Sequence, residues 1–166
     1  MNIHLQRHNH IQQKINSIAD EEKLFIQQDL VASDADITYI ENHLKLRLTA
    51  SYQWFLKVYG AGGVNGVFIA GMGTFEHRYA VVEETLNFRV EHPKLPQEFV
   101  FLEYFSDDWV CLLDTGNHDT SFNDCAVVAY QAGEERWETG WTTFLDYIEE
   151  RFFGCVSKHN TGADIA

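Results

Sequence analysis

The spacing of the apolar residues changes at Gly60, and this change constrains the fold more than any other feature of the sequence. Before Gly60, apolar residues recur every three or four positions, as they do along one face of an α-helix. After it, short runs rich in β-branched and aromatic residues indicate strands. These runs are Val67–Ala70, Phe99–Tyr104, Trp109–Leu113 and Cys125–Tyr130. The sequence therefore predicts an α+β fold.

Three helices are predicted before Gly60. The first extends from about His8 to Gln28 and places Ile11, Ile15, Ile18 and Phe25 on one face. The second starts at Ser33, a helix N-cap residue with Asp36 three positions later, and the third starts at Thr49. Gly60 is suited to the left-handed residue that ends the third helix. The inward residues of the second and third helices are Ile37, Ile40, Leu44, Tyr52, Phe55, Leu56 and Tyr59.

The later elements complete a single domain. Turn-forming residues in the segments 106–108 and 114–124 predict hairpins between consecutive strands. Tyr79–Arg89 favours a helix over a strand, and apolar spacing predicts a C-terminal helix over Trp141–Phe152. We expect helices packed on a twisted, mainly antiparallel sheet. We assign residues 1–32 to an N-terminal helical extension, 33–153 to the domain and 154–166 to a disordered tail.

Negative charge is concentrated in the C-terminal third. Twelve of the 25 acidic residues lie between Glu103 and Glu150, together with one basic residue, Arg136. Such a stretch attracts cationic partners and repels phosphate backbones and anionic lipids. We therefore expect a basic protein partner and no direct binding to nucleic acid. A solvated surface that only maintains solubility is the alternative.

The sequence contains no signal for a membrane or an oxidising compartment. No apolar run reaches the roughly 20 residues that span a bilayer, and the first ten residues lack the apolar centre of a signal peptide. Cys111, Cys125 and Cys155 are odd in number and match no zinc-binding spacing. We expect a cytoplasmic protein with reduced, mostly buried thiols.

Cofactor and metal motifs are weak. The glycines between positions 60 and 66 lack the lysine and the following helix of a phosphate-binding loop, and are typical of a helix stop and a turn. His4 and His8 are spaced to share a helix face with His10 nearby, but no carboxylate or cysteine stands beside them to complete a tetrahedral site. We expect neither a cofactor nor a metal.

Catalytic motifs are equally weak. Cys111, His118 and Asp119 supply the residue types of a thiol hydrolase. However, Cys111 lies in an apolar run, and acidic surroundings disfavour the thiolate. The adjacent acids Asp107–Asp108 and Glu134–Glu135 could form a carboxylate pair, although adjacent acids in turns usually face solvent. A small hydrolase that uses Cys111 or a carboxylate pair is therefore kept only as an alternative function.

Several blocks of the sequence resemble the SUKH superfamily. The blocks are Ile40–Leu44, Leu48–Gly63, Val81–Arg89, Leu95–Val100, Cys111–Thr115, Val127–Val128 and Trp141–Ile148. Within the superfamily the chain is most similar to bacterial members related to yeast cell-wall-assembly regulators. It departs from the family pattern at Thr49 and Ala126, where proline is usual. Both positions are element starts, where a capping threonine or an ordinary strand residue is acceptable.

The resemblance implies an α+β binding protein without a catalytic motif. Bacterial members typically neutralise a polymorphic toxin, often a nuclease, encoded beside them, so we expect an immunity protein. A regulatory interaction module of the same fold is the second hypothesis. Combined with the charge pattern, the resemblance predicts that acids steer the toxin while an aromatic residue anchors it. The predicted contact residues are Asp107, Asp108, Trp109, Asp114, Asp119, Asp124, Glu134, Glu135, Trp137 and Glu138.

Overall fold

A computed structural model describes residues 2–154, which form five α-helices and two antiparallel sheets. The helices are α1 (Ile3–Asn16), α2 (Asp34–Leu44), α3 (Ala50–Val58), α4 (Ala80–Glu91) and α5 (Phe144–Phe153). The strands are β1 (Lys23–Phe25), β2 (Gly62–Val64), β3 (Phe99–Tyr104), β4 (Trp109–His118), β5 (Cys125–Gln131) and β6 (Arg136–Trp141). The predicted α+β fold with a C-terminal helix is confirmed.

Helix α2 begins as the sequence predicts. The Ser33 hydroxyl accepts a hydrogen bond from the Asp36 amide (3.2 Å), and the Asp36 carboxylate accepts one from the Ser33 amide (2.8 Å). Asp36 also binds Arg78 and the Tyr79 hydroxyl, each at 2.8 Å. Although burial opposes the charged form, these donors hold the pKa of Asp36 well below its usual value. The cap therefore also ties α2 to the start of α4.

The start of α3 corrects one expectation. Thr49 is the N-cap residue, but its side chain does not cap the helix. Its hydroxyl instead lies 3.4 Å from both Ser51 Oγ and Cys125 Sγ. The Ala50 amide donates to the Phe122 carbonyl (3.3 Å), which belongs to the loop between β4 and β5. A distant loop thus satisfies the amides that a local side chain was expected to bind.

The predicted first helix is too long. Helix α1 ends at Asn16 rather than Gln28, so Ile18 and Phe25 lie outside it. Phe25 belongs to β1 and pairs with Gly62 of β2. Its ring stacks on Tyr59 with centroids 4.6 Å apart. A tertiary contact therefore decides the conformation of a segment that has helical apolar spacing.

The glycine-rich segment after α3 forms a strand as well as a turn. Gly60 follows α3 with φ of +73°, as predicted, and Gly62 has φ of +109°. A Cβ atom on Gly62 would lie 1.9 Å from the Leu24 carbonyl oxygen, so only glycine permits the close approach of β1 and β2. The strand predicted at Val67–Ala70 is wrong, because this segment contributes only an isolated bridge between Ile69 and Gly62.

The main sheet has the strand order β3-β4-β5-β6, and all of its neighbours are antiparallel. The two predicted hairpins, β3-β4 and β4-β5, are confirmed. Strand β6 was not predicted, because five of its six residues are exposed and its sequence, RWETGW, has no continuous apolar run like those of β3, β4 and β5. Trp141, predicted in the last helix, is the final residue of β6, and α5 starts at Phe144.

The sheet is covered differently on its two faces. One face packs with α1, α2, α3 and α5 in the larger core, and its strand residues include Val100, Leu113 and Val127. The other face forms a smaller core with Phe88 of α4 and Leu95. The alternation of inward residues along each strand assigns neighbours such as Leu112 and Leu113 to opposite faces. The helices and the sheet therefore build one domain.

Candidate partner-binding surface

Two turns lie side by side at one end of the main sheet. The β3-β4 turn contains Asp108, whose carboxylate accepts hydrogen bonds from the Gly133 amide (3.0 Å) and the Gln131 side chain (2.7 Å). The Ala132 amide donates to the Asp108 carbonyl (3.0 Å). These bonds attach the β3-β4 turn to the turn before β6. We call the resulting surface the acidic end; it consists of Asp107, Asp108, Trp109, Glu134, Glu135, Trp137 and Glu138.

The other three predicted contact residues lie elsewhere. Asp114 is half-buried within β4, and Asp119 is exposed in the loop between β4 and β5. Since β4 runs from Trp109 to His118, this loop is roughly 30 Å from the acidic end at the usual rise of a strand. The structure therefore brings together seven of the ten predicted residues and separates Asp114, Asp119 and Asp124 from them.

Asp124 is a structural residue. Its side chain is buried, with 4% of the residue exposed. The carboxylate accepts hydrogen bonds from the Ser51 hydroxyl (2.7 Å) and from the amides of Cys125 (2.8 Å) and Phe144 (2.9 Å). The expectation that Asp124 contacts a partner does not agree with this position, because the carboxylate is directed into the junction of α3, β5 and α5. Sequence charge alone does not distinguish such an acid from a surface one.

The charges of the acidic end are only partly neutralised. Glu134 forms an ion pair with Arg136 (2.8 Å), and Glu135 forms one with Lys94. The hydrogen bond from Lys94 lowers the pKa of Glu135. Within residues 2–154, Asp107 and Glu138 take part in no ion pair, and both are exposed. Asp108 also forms no ion pair in this range, but it is half-buried and accepts hydrogen bonds from Gln131 and Gly133. Asp107 and Glu138 are therefore the exposed carboxylates of this surface that have no cationic partner among the described residues.

The aromatic residues of the acidic end face opposite sides of the sheet. Trp137 is 40% exposed and packs edge-on against Phe99, with ring centroids 5.7 Å apart. It is cross-strand to Tyr130, whereas Glu138 is cross-strand to Ala129 and therefore points to the other face. On that face a pocket of about 220 Å³ is lined by Phe105, Trp109, Cys111, Ala129, Glu138 and Trp141.

A larger groove lies along β3, and the sequence did not predict it. Its volume is about 960 Å³, and its lining includes β3 and the segment 66–75. Four aromatic side chains on its rim are 47 to 73% exposed. These are Phe68, Phe75, Tyr104 and Phe105. Phe105 also lines the smaller pocket, so the groove and the pocket are adjacent.

A buried ion pair forms part of the groove wall. Glu103 is 5% exposed and accepts hydrogen bonds from Arg151 Nε and from the Tyr147 hydroxyl, both at 2.6 Å. Arg151 also lies over the Phe105 ring, 4.6 Å from its centroid. The hydrogen bonds that Arg151 donates to Glu103 raise the pKa of Arg151, and burial raises the pKa of Tyr147. A lone acid within the apolar run FVFLEY was the one sequence signal for this arrangement.

Comparison with known families gives a match over residues 11–153 to SUKH_5, described as SMI1-KNR4 cell-wall. The chain belongs to this family. The match covers most of the chain and agrees with the resemblance seen in the sequence blocks. Membership in the SUKH superfamily supports a role in protein–protein interaction or in immunity.

The residues of the thiol hydrolase hypothesis are not brought together in this SUKH domain. Cys111 is buried, and burial raises the pKa of its thiol to about 12. His118 is seven residues further along the same strand, which corresponds to roughly 23 Å. A catalytic imidazole must lie within hydrogen-bonding distance of its nucleophile. Cys125 is also buried and has a free thiol, and Cys155 lies outside the described residues.

Of the N-terminal histidines, which precede the matched residues 11–153, His8 packs against α3. His8 is buried and stacks on Trp54, with ring centroids 4.5 Å apart. Burial, assisted by His4 and Arg7, lowers the pKa of His8 to about 4. His4 meets His8 edge-on, whereas His10 is exposed. Within residues 2–154, no group of three or more potential ligands could hold a metal ion. None of the helices in this range is sufficiently long and apolar to cross a bilayer.

Proposed function

We propose that this SUKH protein is a bacterial immunity protein that neutralises a cognate toxin domain by stoichiometric binding in the cytoplasm. The acidic end is the surface that meets the toxin. The observation that carries this proposal is that the exposed carboxylates of Asp107 and Glu138 lie at the same end of the sheet as the exposed ring of Trp137. Exposed tryptophans are frequent anchors of protein–protein interfaces.

The chemistry of the partner follows from the charge. A nuclease domain carries a basic surface because it holds a polyanionic substrate. An acidic protein attracts this surface at long range and then occludes it. Binding alone is sufficient for neutralisation, so no catalytic group is required of the immunity protein. A basic nuclease domain is therefore the toxin class that fits best.

The test is coexpression with the toxin domain encoded beside this protein. We expect a 1:1 complex on gel filtration and rescue of cell growth. The double variant Asp107→Lys/Glu138→Lys should weaken both, because it reverses two exposed charges that have no cationic partner within residues 2–154. The matched control is Asp119→Lys, which reverses an exposed acid at the opposite end of the sheet. If the native protein neither binds the toxin nor rescues growth, the immunity proposal is wrong.

The groove along β3 favours a second candidate function, that of a regulatory interaction module. Its exposed aromatic rim is suited to an apolar segment of a cellular protein rather than to a highly charged toxin surface. The double variant Phe68→Ser/Phe75→Ser changes the groove and leaves the acidic end intact. Loss of a cellular phenotype in this variant, with toxin rescue unchanged or absent, would favour the regulatory function.

A further inference from the structure

The small pocket beside the acidic end has walls of an unusual composition. Trp109 and Trp141 enclose it together with Phe105, and Glu138 completes the wall. The volume of about 220 Å³ is below the roughly 300–1,000 Å³ of pockets for drug-sized ligands. The pocket therefore has the size for a single side chain. The charged residue of the wall is Glu138, whose carboxylate accepts hydrogen bonds.

The sheet and α5 hold these walls in place. Ala129 and Glu138 are cross-strand partners, so the carboxylate projects from the same face as the pocket floor. The Trp141 indole N–H donates to Glu150 (2.7 Å), and its ring meets Tyr147 edge-on with centroids 5.0 Å apart. The indole is thus held in place by a hydrogen bond and a ring contact, and it also lines the pocket.

The electrostatics of the pocket favour a positive charge. Glu138 forms no ion pair within residues 2–154, and Glu150 lies against the Trp141 indole. Two cations lie near this wall. Arg136, which lines an adjoining cavity together with Trp109 and Glu138, pairs with Glu134. Arg151 lies behind the Phe105 ring, and Glu103 neutralises it through two hydrogen bonds. Aromatic faces carry negative potential and attract cations by about 0.5–2 kcal/mol per contact. Aromatic walls with one free carboxylate are therefore complementary to a cationic group.

We propose that this pocket binds one cationic side chain of the toxin, an arginine whose guanidinium stacks on the Trp109 and Trp141 indoles and pairs with Glu138. The inference rests on the proposed function for the identity of the partner. Arginine suits the site better than lysine, because the planar guanidinium stacks on an aromatic ring while its edge donates to a carboxylate. The acidic end then attracts the toxin, and the pocket fixes its register.

The first experiment uses the free protein and a small probe. Ethylguanidinium is titrated into labelled protein while the four tryptophan indole N–H signals are followed by NMR, with ethylurea as the uncharged control. We expect the Trp109 and Trp141 signals to shift with ethylguanidinium only, and those of Trp54 and Trp137 to shift less. Glu138→Gln should weaken the response severalfold. Equal shifts at all four tryptophans, or shifts with ethylurea as well, would overturn the proposal.

The second experiment uses the toxin complex. Glu138→Gln and Trp109→Leu should each weaken binding about tenfold. Glu134→Gln is the matched control, because it removes an acid that Arg136 already neutralises. Thermal unfolding of each variant separates misfolding from lost recognition. If the native complex forms and both variants bind as tightly as the native protein, the pocket proposal fails and the immunity proposal stands. If no native complex forms, immunity fails and the titration alone decides the pocket.

Discussion

The Ser51 hydroxyl donates a 2.7 Å hydrogen bond to the Asp124 carboxylate, across 73 positions of sequence. The same carboxylate accepts a hydrogen bond from the amide of Phe144, the first residue of α5. One buried acid therefore joins α3, β5 and α5. Its negative charge also lies at the positive end of α5, where it is favourable. The acidity of the C-terminal third thus contains structural as well as surface residues.

Replacing Asp124 should destabilise the fold. In Asp124→Ala, the buried hydroxyl and amides that donate hydrogen bonds to the carboxylate lose their acceptor. We expect this loss to lower the free energy of unfolding by about 2–4 kcal/mol. Urea denaturation followed by circular dichroism measures this change. Asp107→Ala, which removes an exposed acid, should change stability by less than about 0.5 kcal/mol. Equal stability of the two variants would contradict the structural role.

The pair of Glu103 and Arg151 should show strong coupling. Arg151→Met leaves the Glu103 carboxylate buried with the Tyr147 hydroxyl as its donor, so we expect a loss of about 3 kcal/mol. Adding Glu103→Gln should recover much of this loss, because no buried charge remains. A double-mutant cycle by denaturation provides the coupling energy. Arg136→Met breaks an exposed ion pair and should cost less than about 1 kcal/mol.

His8 should make stability depend on pH below neutrality. Its pKa is about 4 in the folded protein and 6.5 in the unfolded chain, so the unfolded state binds the proton more readily between these values. The free energy of unfolding therefore has its full value with respect to His8 above pH 6.5 and falls as the pH is lowered toward 4. The decrease is on the order of 3 kcal/mol at most.

The His8 contribution is isolated by comparing variants. In His8→Gln, the difference in unfolding free energy between pH 7 and pH 4.5 should be smaller than in the native protein. His10→Gln removes an exposed imidazole from the same helix and should retain the native difference. A native pH dependence in His8→Gln would assign the effect to other groups, such as the carboxylates.

Charge reversal at the acidic end should slow association in addition to weakening the complex. With Asp107→Lys/Glu138→Lys, we expect the association rate constant with the toxin domain to fall about tenfold at low salt, with a weaker dependence on ionic strength. Stopped-flow measurements at several salt concentrations test this. Asp119→Lys should change the rate little. If it slows association equally, the net charge governs the encounter rather than the acidic end.

The sequence by itself determined the elements whose signals are local. Ser33 and Asp36 form a capping box from side chains three positions apart, and Gly60 takes the left-handed conformation after α3. Alternating apolar runs with turn residues between them specify the β3-β4 and β4-β5 hairpins. Such signals involve neighbours within a few residues, so they can be recognised without a three-dimensional structure.

Only the tertiary structure decided the positions of distant groups. Phe25, predicted in a helix, lies in a strand, and Asp124, predicted on the surface, lies in the core. Trp109, Glu138 and Trp141, which are distant in sequence, line one pocket. Strand β6 is exposed and has no continuous apolar run, so the signal that indicated the other strands of this sheet did not indicate it. The physical reason is that burial and charge pairing depend on which chain segments meet in space. A carboxylate in a sequence is equally consistent with a helix cap, a core ion pair and a surface that attracts a partner.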